Sequence, residues 1–215
     1  MVFLAVNNIS FGLCFMSKYP VQFHGNNLAR KLLQLLGWKV IFNGLPAMHG
    51  VIVVYPHTSN WDFCIGILTK WAIGIPIKFL AKDSLFKVPI LGSWFRYLGG
   101  FPVDRSSPQG YVDDLARKMC AQEYSWILFT PEGTRKYTLG WRSGFYQLAI
   151  KANVPIGMAI IDFSTKEIGI VDFFKPTGVE NEDLDILRKT YSGRFGYHPE
   201  LASPIVFWSP SNRNK

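Results

Sequence analysis

Short apolar runs alternate with stretches of helical periodicity along most of this chain, and that alternation constrains its fold more than any other feature. Residues 51–55 (VIVVY) form an unbroken, β-branched apolar run, the pattern of a strand buried on both faces. Helical patterning follows over 60–72, 112–122, 143–152 and 182–194. Further strands are predicted over 76–80, 126–129 (WILF), 155–161 (PIGMAII) and 168–174 (IGIVDFF). Strands alternating with helices of this length predict an α/β fold, a single domain with a central mixed, largely parallel sheet flanked by helices. In such sheets ligands bind beyond the carboxyl ends of the strands, which is where the polar motifs of this chain fall. The 215 residues suffice for one such domain, and 48% hydrophobic residues suffice for its core, which excludes disordered and coiled-coil classes.

Ahead of these elements lies an apolar or amphipathic helical element, residues 1–42, with the main domain expected over 43–215. Residues 1–17 carry no charged side chain, and no basic residue precedes an apolar run as a signal peptide requires. Over residues 27–42, Leu28, Leu32, Leu35 and Leu36 recur at helical spacing, Arg30 and Lys31 lie beside them, and Gly37 marks the end of the helix. Two readings fit the leucine stripe. It packs onto the domain core, or it lies in a membrane interface with the basic side chains at the headgroups. No run of 18 apolar residues occurs.

The formal net charge of +8 resides in the first two-thirds of the chain, since residues 152–215 carry a net of −1. A positive field favours anionic partners such as acidic lipid surfaces or phosphorylated substrates. Apart from short pairs such as Arg117-Lys118 and Arg135-Lys136 the basic residues are dispersed, and no nucleic-acid-binding motif is present. Nucleic acid is therefore not an expected partner. Cys14, Cys64 and Cys120 are odd in number and widely spaced, which reads as reduced apolar filler rather than a disulfide framework or zinc site. The four histidines, His24, His49, His57 and His198, lack metal-ligand spacing, so no metal is expected. His24, His49 and His198 read as surface or loop residues.

Three motifs could carry chemistry. His57 and Asp62 are five residues apart, directly after the VIVVY run. A histidine can take and return a proton near neutral pH, and a carboxylate on its second ring nitrogen orients it. Equally, Ser59-x-x-Asp62 matches a helix capping box, with Asp62 in the first turn. Glu132-Gly133-Thr134-Arg135 follows the WILF run and combines close backbone approach, a hydroxyl and a guanidinium fork suited to phosphate. An ordinary polar turn with a Glu132–Arg135 ion pair fits the same residues. Residues 99–105 (GGFPVDR) read as a loop in which Arg105 could bind an anionic group. No nucleophile elbow, phosphate-binding P-loop or dinucleotide fingerprint is present.

Taken together and in order, these blocks resemble the glycerolipid acyltransferase family, which includes the 1-acyl-sn-glycerol-3-phosphate acyltransferases. The family's His-x4-Asp block is similar to His57–Asp62, its Gly-x-x-x-Val-x-Arg loop to residues 99–105, and its Glu-Gly-Thr-Arg block to residues 132–135. Val154-Pro155-Ile156 is similar to the family's final apolar-Pro block. Pro56 and Thr130-Pro131 depart from the fillings common in lysophosphatidate enzymes. The resemblance implies transfer of a fatty acyl group from a thioester, acyl-CoA or acyl carrier protein, to a lysophospholipid hydroxyl, without a further cofactor. It implies catalytic roles for His57 as general base and Asp62 as its orienting partner. Arg105, Gly133, Thr134 and Arg135 would hold the acceptor phosphate, and Glu132 would shape that loop or help position the acceptor, at the cytoplasmic face of an anionic membrane surface. Two rivals remain: acylation of another lipid hydroxyl, such as that of a lyso-ornithine lipid or glycolipid precursor, and a non-catalytic module binding anionic lipid.

Overall fold

A computed structural model describes residues 18–103, 108–123 and 125–209, apart from the side chains of Pro108 and Gln109. Residues 1–17, including Cys14, and Arg105 of the third motif lie outside the described residues. In chain order the elements are α1 (Asn27–Leu35), β1 (Lys39–Ile41), β2 (Gly50–Tyr55), α2 (Trp61–Ile73), β3 (Ile77–Lys82), α3 (Asp83–Phe86) and α4 (Pro89–Tyr97). They continue with β4 (Gly100–Val103), α5 (Pro108–Cys120), β5 (Trp126–Phe129), α6 (Gly144–Lys151), β6 (Ile156–Asp162), β7 (Glu167–Phe174) and α7 (Glu180–Tyr191). The strands form one sheet in the order β1-β7-β6-β2-β5-β3-β4. Every pairing is parallel except the β6–β7 hairpin. The mixed, largely parallel sheet expected from the alternation is present.

β2 occupies the centre of the sheet, and all six of its residues are buried. Its side chains alternate between two cores. Val51, Val53 and Tyr55 face a layer closed by α5, α6 and α7, where Leu115, Phe145, Leu148 and Leu187 pack. Ile52 and Val54 face the opposite layer, closed by α1 and α2, with Leu33, Ile65 and Ile73. An apolar run without polar alternation is what a strand covered on both sides requires.

Three local readings are corrected. The first helix ends before Gly37 as expected, but residues 39–41, placed within the N-terminal helical element, form β1 at the sheet edge beside β7. Residues 100–103, read as loop, form the opposite edge strand. Pro102 is tolerated there because an edge strand can leave one side of its backbone without a ladder partner. Cys64 and Cys120 are free, but both are exposed rather than packed as apolar filler; each sits on the outer side of its helix.

The leucine stripe of α1 also resolves against its core-packing reading. Ala29 and Leu33 form the buried face, whereas Leu28, Leu32, Leu35 and Leu36 point away from the core, Leu35 with 83% exposure. The core needs only the narrow Ala29–Leu33 line because α1 lies flat against α2 and the Arg30 guanidinium donates to the Ala72 carbonyl at the end of α2. Leu33→Ala is expected to cost about 2–5 kcal/mol of stability, and Leu35→Ala to stay within about 0.5 kcal/mol. Urea unfolding followed by circular dichroism measures both; equal losses would mean that α1 sits on the core by a different face.

Candidate active site

Parallel pairing of β2 with β5, Val53 beside Phe129, delivers the loops that follow these strands to the same edge of the sheet. One loop carries His57 and the other carries residues 130–136, so motifs 75 residues apart in sequence become neighbours. The link is direct: the buried Glu132 carboxylate accepts the His57 backbone N–H through Oε2 at 2.8 Å. Its other oxygen accepts the Ser203 backbone N–H at 2.9 Å.

The His57 ring, 14% exposed, places Nδ1 3.0 Å from Oδ2 of Asp62, whose side chain is 1% exposed. The same Oδ2 accepts the backbone N–H groups of Thr58 at 2.8 Å and Ser59 at 2.9 Å. Ser59 Oγ accepts the Trp61 N–H at the start of α2. Half of the capping box is therefore present, and it is made by the carboxylate that faces the imidazole. Structural and catalytic readings of Asp62 are one arrangement: anchoring the helix start is what aims the carboxylate at His57. With Nδ1 facing the carboxylate, Nε2 is the nitrogen left to accept a proton.

Glu132, expected to shape its loop or help position the acceptor, turns inward. It is 2% exposed and both carboxylate oxygens are spent on backbone N–H groups. Burial raises its pKa, and the two N–H bonds oppose that rise. A Glu132–Arg135 ion pair does not form, because the carboxylate points inward while Arg135 is exposed. Gly133 turns the loop at φ 69°, a conformation that favours glycine, and its N–H donates to the Thr130 carbonyl. Thr134 and Arg135 follow on the exposed side of that turn.

Beside the histidine loop lies a shallow cleft of about 410 Å³. Thr58, Asn60 and Trp61 from the histidine loop, Arg135 from the glycine turn, and Tyr197 and His198 from the C-terminal segment line it. Of the residues expected to form the site, Arg135 lines this cleft, while His57 and Asp62 belong to the loop and helix start whose neighbouring residues Thr58 to Trp61 form its wall. His198, read from sequence as a surface or loop residue, is in a loop and about half exposed, yet it borders this cleft. No motif announces Tyr197 and His198, since nothing local ties them to residues some 140 positions earlier.

Comparison with known proteins agrees with this geometry. A family model described as Acyltransferase matches residues 21–161. A chloroplastic 1-acyl-sn-glycerol-3-phosphate acyltransferase of Brassica napus is 32% identical over 104 residues, 46% of this chain and 30% of that protein. A 1-acyl-sn-glycerol-3-phosphate acyltransferase of Saccharomyces cerevisiae is 29% identical over 177 residues, covering 72% of this chain and 56% of its own length. The chain thus spans between about a third and just over half of these curated relatives. The crystal structure of the 1-acyl-sn-glycerophosphate acyltransferase PlsC from Thermotoga maritima shares the fold, with a TM-score of 0.52 and 19% identity over 78% of each chain. Because the matched model spans most of the chain and contains His57, Asp62 and the Glu132–Arg135 turn, this protein belongs to the acyltransferase family.

Proposed function

We propose that this protein transfers a fatty acyl group from an acyl thioester to the free hydroxyl of a lysophospholipid, with 1-acyl-glycerol-3-phosphate as acceptor and phosphatidate as product. The observation that carries this reading is the 3.0 Å contact between His57 Nδ1 and the buried Asp62 carboxylate, beside a cleft bordered by Arg135. The names of the relatives supply the acceptor class.

The chemistry follows from that pair. Nε2 of His57 takes the proton of the acceptor hydroxyl as its oxygen attacks the thioester carbonyl carbon. The Asp62 carboxylate stabilises the imidazolium that forms. Collapse of the tetrahedral intermediate forms the ester bond and breaks the carbon–sulfur bond, and the imidazolium returns its proton to the departing thiolate. Each step uses only acceptor, donor and the His57–Asp62 pair, so the protein need not carry the acyl group covalently. Acyl-CoA and acyl carrier protein both present such a thioester. Arg135, and by family likeness Arg105, would hold the acceptor phosphate through charge-assisted hydrogen bonds.

Access to a lipid acceptor requires a lipid surface. The outward stripe of Leu28, Leu32, Leu35 and Leu36, next to Lys31, has the make-up of a helix lying in an anionic membrane interface. Among the described residues no helix is long and apolar enough to cross a membrane.

His57→Ala is expected to lower kcat for acyl transfer from labelled acyl-CoA to lysophosphatidate by about two to four orders of magnitude. Near-normal turnover with an intact circular dichroism spectrum would sink the mechanism. Arg135→Ala should raise the KM for lysophosphatidate by about ten- to a hundredfold and spare a phosphate-free monoacylglycerol; equal effects on both acceptors would remove the phosphate role. Replacing Leu28 and Leu35 together by Gln should reduce co-sedimentation with phosphatidylglycerol vesicles while leaving the unfolding curve in place. An unchanged pellet fraction would place the membrane contact elsewhere.

A further inference from the structure

The family match ends at Ile161, yet the cleft beside His57 is closed by residues well beyond it. The segment around residues 194–203 is not a tail draped over the site. It is fastened at several points, all through atoms other than the His198 ring. Arg194 pairs with the fully buried Asp162 at 3.3 Å and with Glu167 at 2.8 Å. The Phe195 carbonyl accepts the Phe163 N–H. The His198 backbone N–H donates to Thr58 Oγ1 at 3.1 Å. Ser203 bonds Glu132 through its N–H, Tyr55 Oη through its carbonyl and Thr138 through its hydroxyl. Gly196 passes so close to the catalytic loop that a Cβ there would meet Thr58 Oγ1 at 2.5 Å.

Main-chain and Ser203 contacts therefore hold the segment, which leaves the side chains of Tyr197 and His198 to shape the cleft. The Tyr197 ring is wedged edge-on between Phe163, at 5.2 Å, and His198, at 4.8 Å between centroids. That packing orients the imidazole. Glu200 Oε1 lies 3.5 Å from Nδ1, so Nε2 is the ring nitrogen available to a ligand. Arg135 and Asn60 line the same cleft. An opening lined by an arginine, a histidine and an asparagine, with Trp61 exposed, is suited to a phosphate ester.

We propose that His198 is a binding residue of this cleft, contacting the same phosphate monoester as Arg135, with Tyr197 as its positioning residue. The proposal rests on the acyltransferase reading for its substrates. Two of them carry such a group, the glycerol-phosphate acceptor and the 3′-phosphate of a coenzyme A donor.

The test compares His198→Ala and His198→Gln with wild type, varying lysophosphatidate and acyl-CoA separately. His198→Ala should raise the KM for one of these substrates about tenfold, the loss of one hydrogen bond to a charged group, with kcat within about twofold. His198→Gln, which keeps an N–H donor, should recover most of the loss. The substrate whose KM moves identifies the phosphate. Unchanged KM for both, or a fall in kcat alone, overturns the proposal. In parallel, sn-glycerol 3-phosphate and coenzyme A are titrated by calorimetry into the His57→Ala protein with and without His198→Ala. Weakened binding of either supports the site, and identical binding of both refutes it. If the wild-type protein transfers no acyl group, the functional reading fails while the calorimetric arm still decides the phosphate site.

Discussion

Glu132 joins three stretches of chain through one buried side chain. Its carboxylate accepts one backbone N–H from the histidine loop and one from the C-terminal segment, and it is covered by both. A buried carboxylate is costly unless its oxygens are satisfied. The energetic demand of that one side chain therefore enforces the approach of residues 57 and 203. Each bond to a charged acceptor is worth about 1.5–3 kcal/mol, and an orphaned buried N–H costs a similar amount. Position of the imidazole, closure of the cleft and placement of the glycine turn all follow from this crosslink. Of the two roles that the family resemblance implied for Glu132, shaping its loop and positioning the acceptor, the fold shows the first, as a brace of the histidine loop.

Asp62 solves a related problem with a second buried carboxylate. Three groups converge on its Oδ2: the amides of Thr58 and Ser59 and the His57 ring. The two amides hold Oδ2 independently of the imidazole, while Oδ1 is buried without a hydrogen-bond partner among the described residues, so the main-chain bonds at Oδ2 fix the carboxylate in place. A helix-capping carboxylate makes a good orienting partner for this reason: its position is set by main-chain bonds that the chemistry does not disturb.

Much of the architecture was legible before any coordinates. Strands at 126–129, 155–161 and 168–174 coincide with β5, β6 and β7 to within one residue, because a strand buried on both faces must be continuously apolar. The edge strands were not legible. β1 has three residues and β4 contains Pro102, and neither is covered enough to need an apolar run. The leucine stripe of α1 misled for a complementary reason. Periodicity reveals that a helix has an apolar face, but not whether protein or something else covers it. In α1 the core takes only Ala29 and Leu33, beside the leucines rather than through them.

Within the site, the sequence by itself determined the His57–Asp62 pair and the basic turn. His57 and Asp62 meet across five residues, a distance that local loop-to-helix geometry spans, and the Glu132–Arg135 turn is contiguous. Only the tertiary structure decided that these two motifs face one another, since that depends on β2 and β5 being parallel neighbours. Only it decided that Glu132 turns inward, and that Tyr197 and His198 close the cleft. Such arrangements depend on hydrogen bonds from backbone amides to side-chain oxygens 71 to 140 positions away. Every residue has the same amide, so the donors of these bonds leave no mark in the order of the side chains.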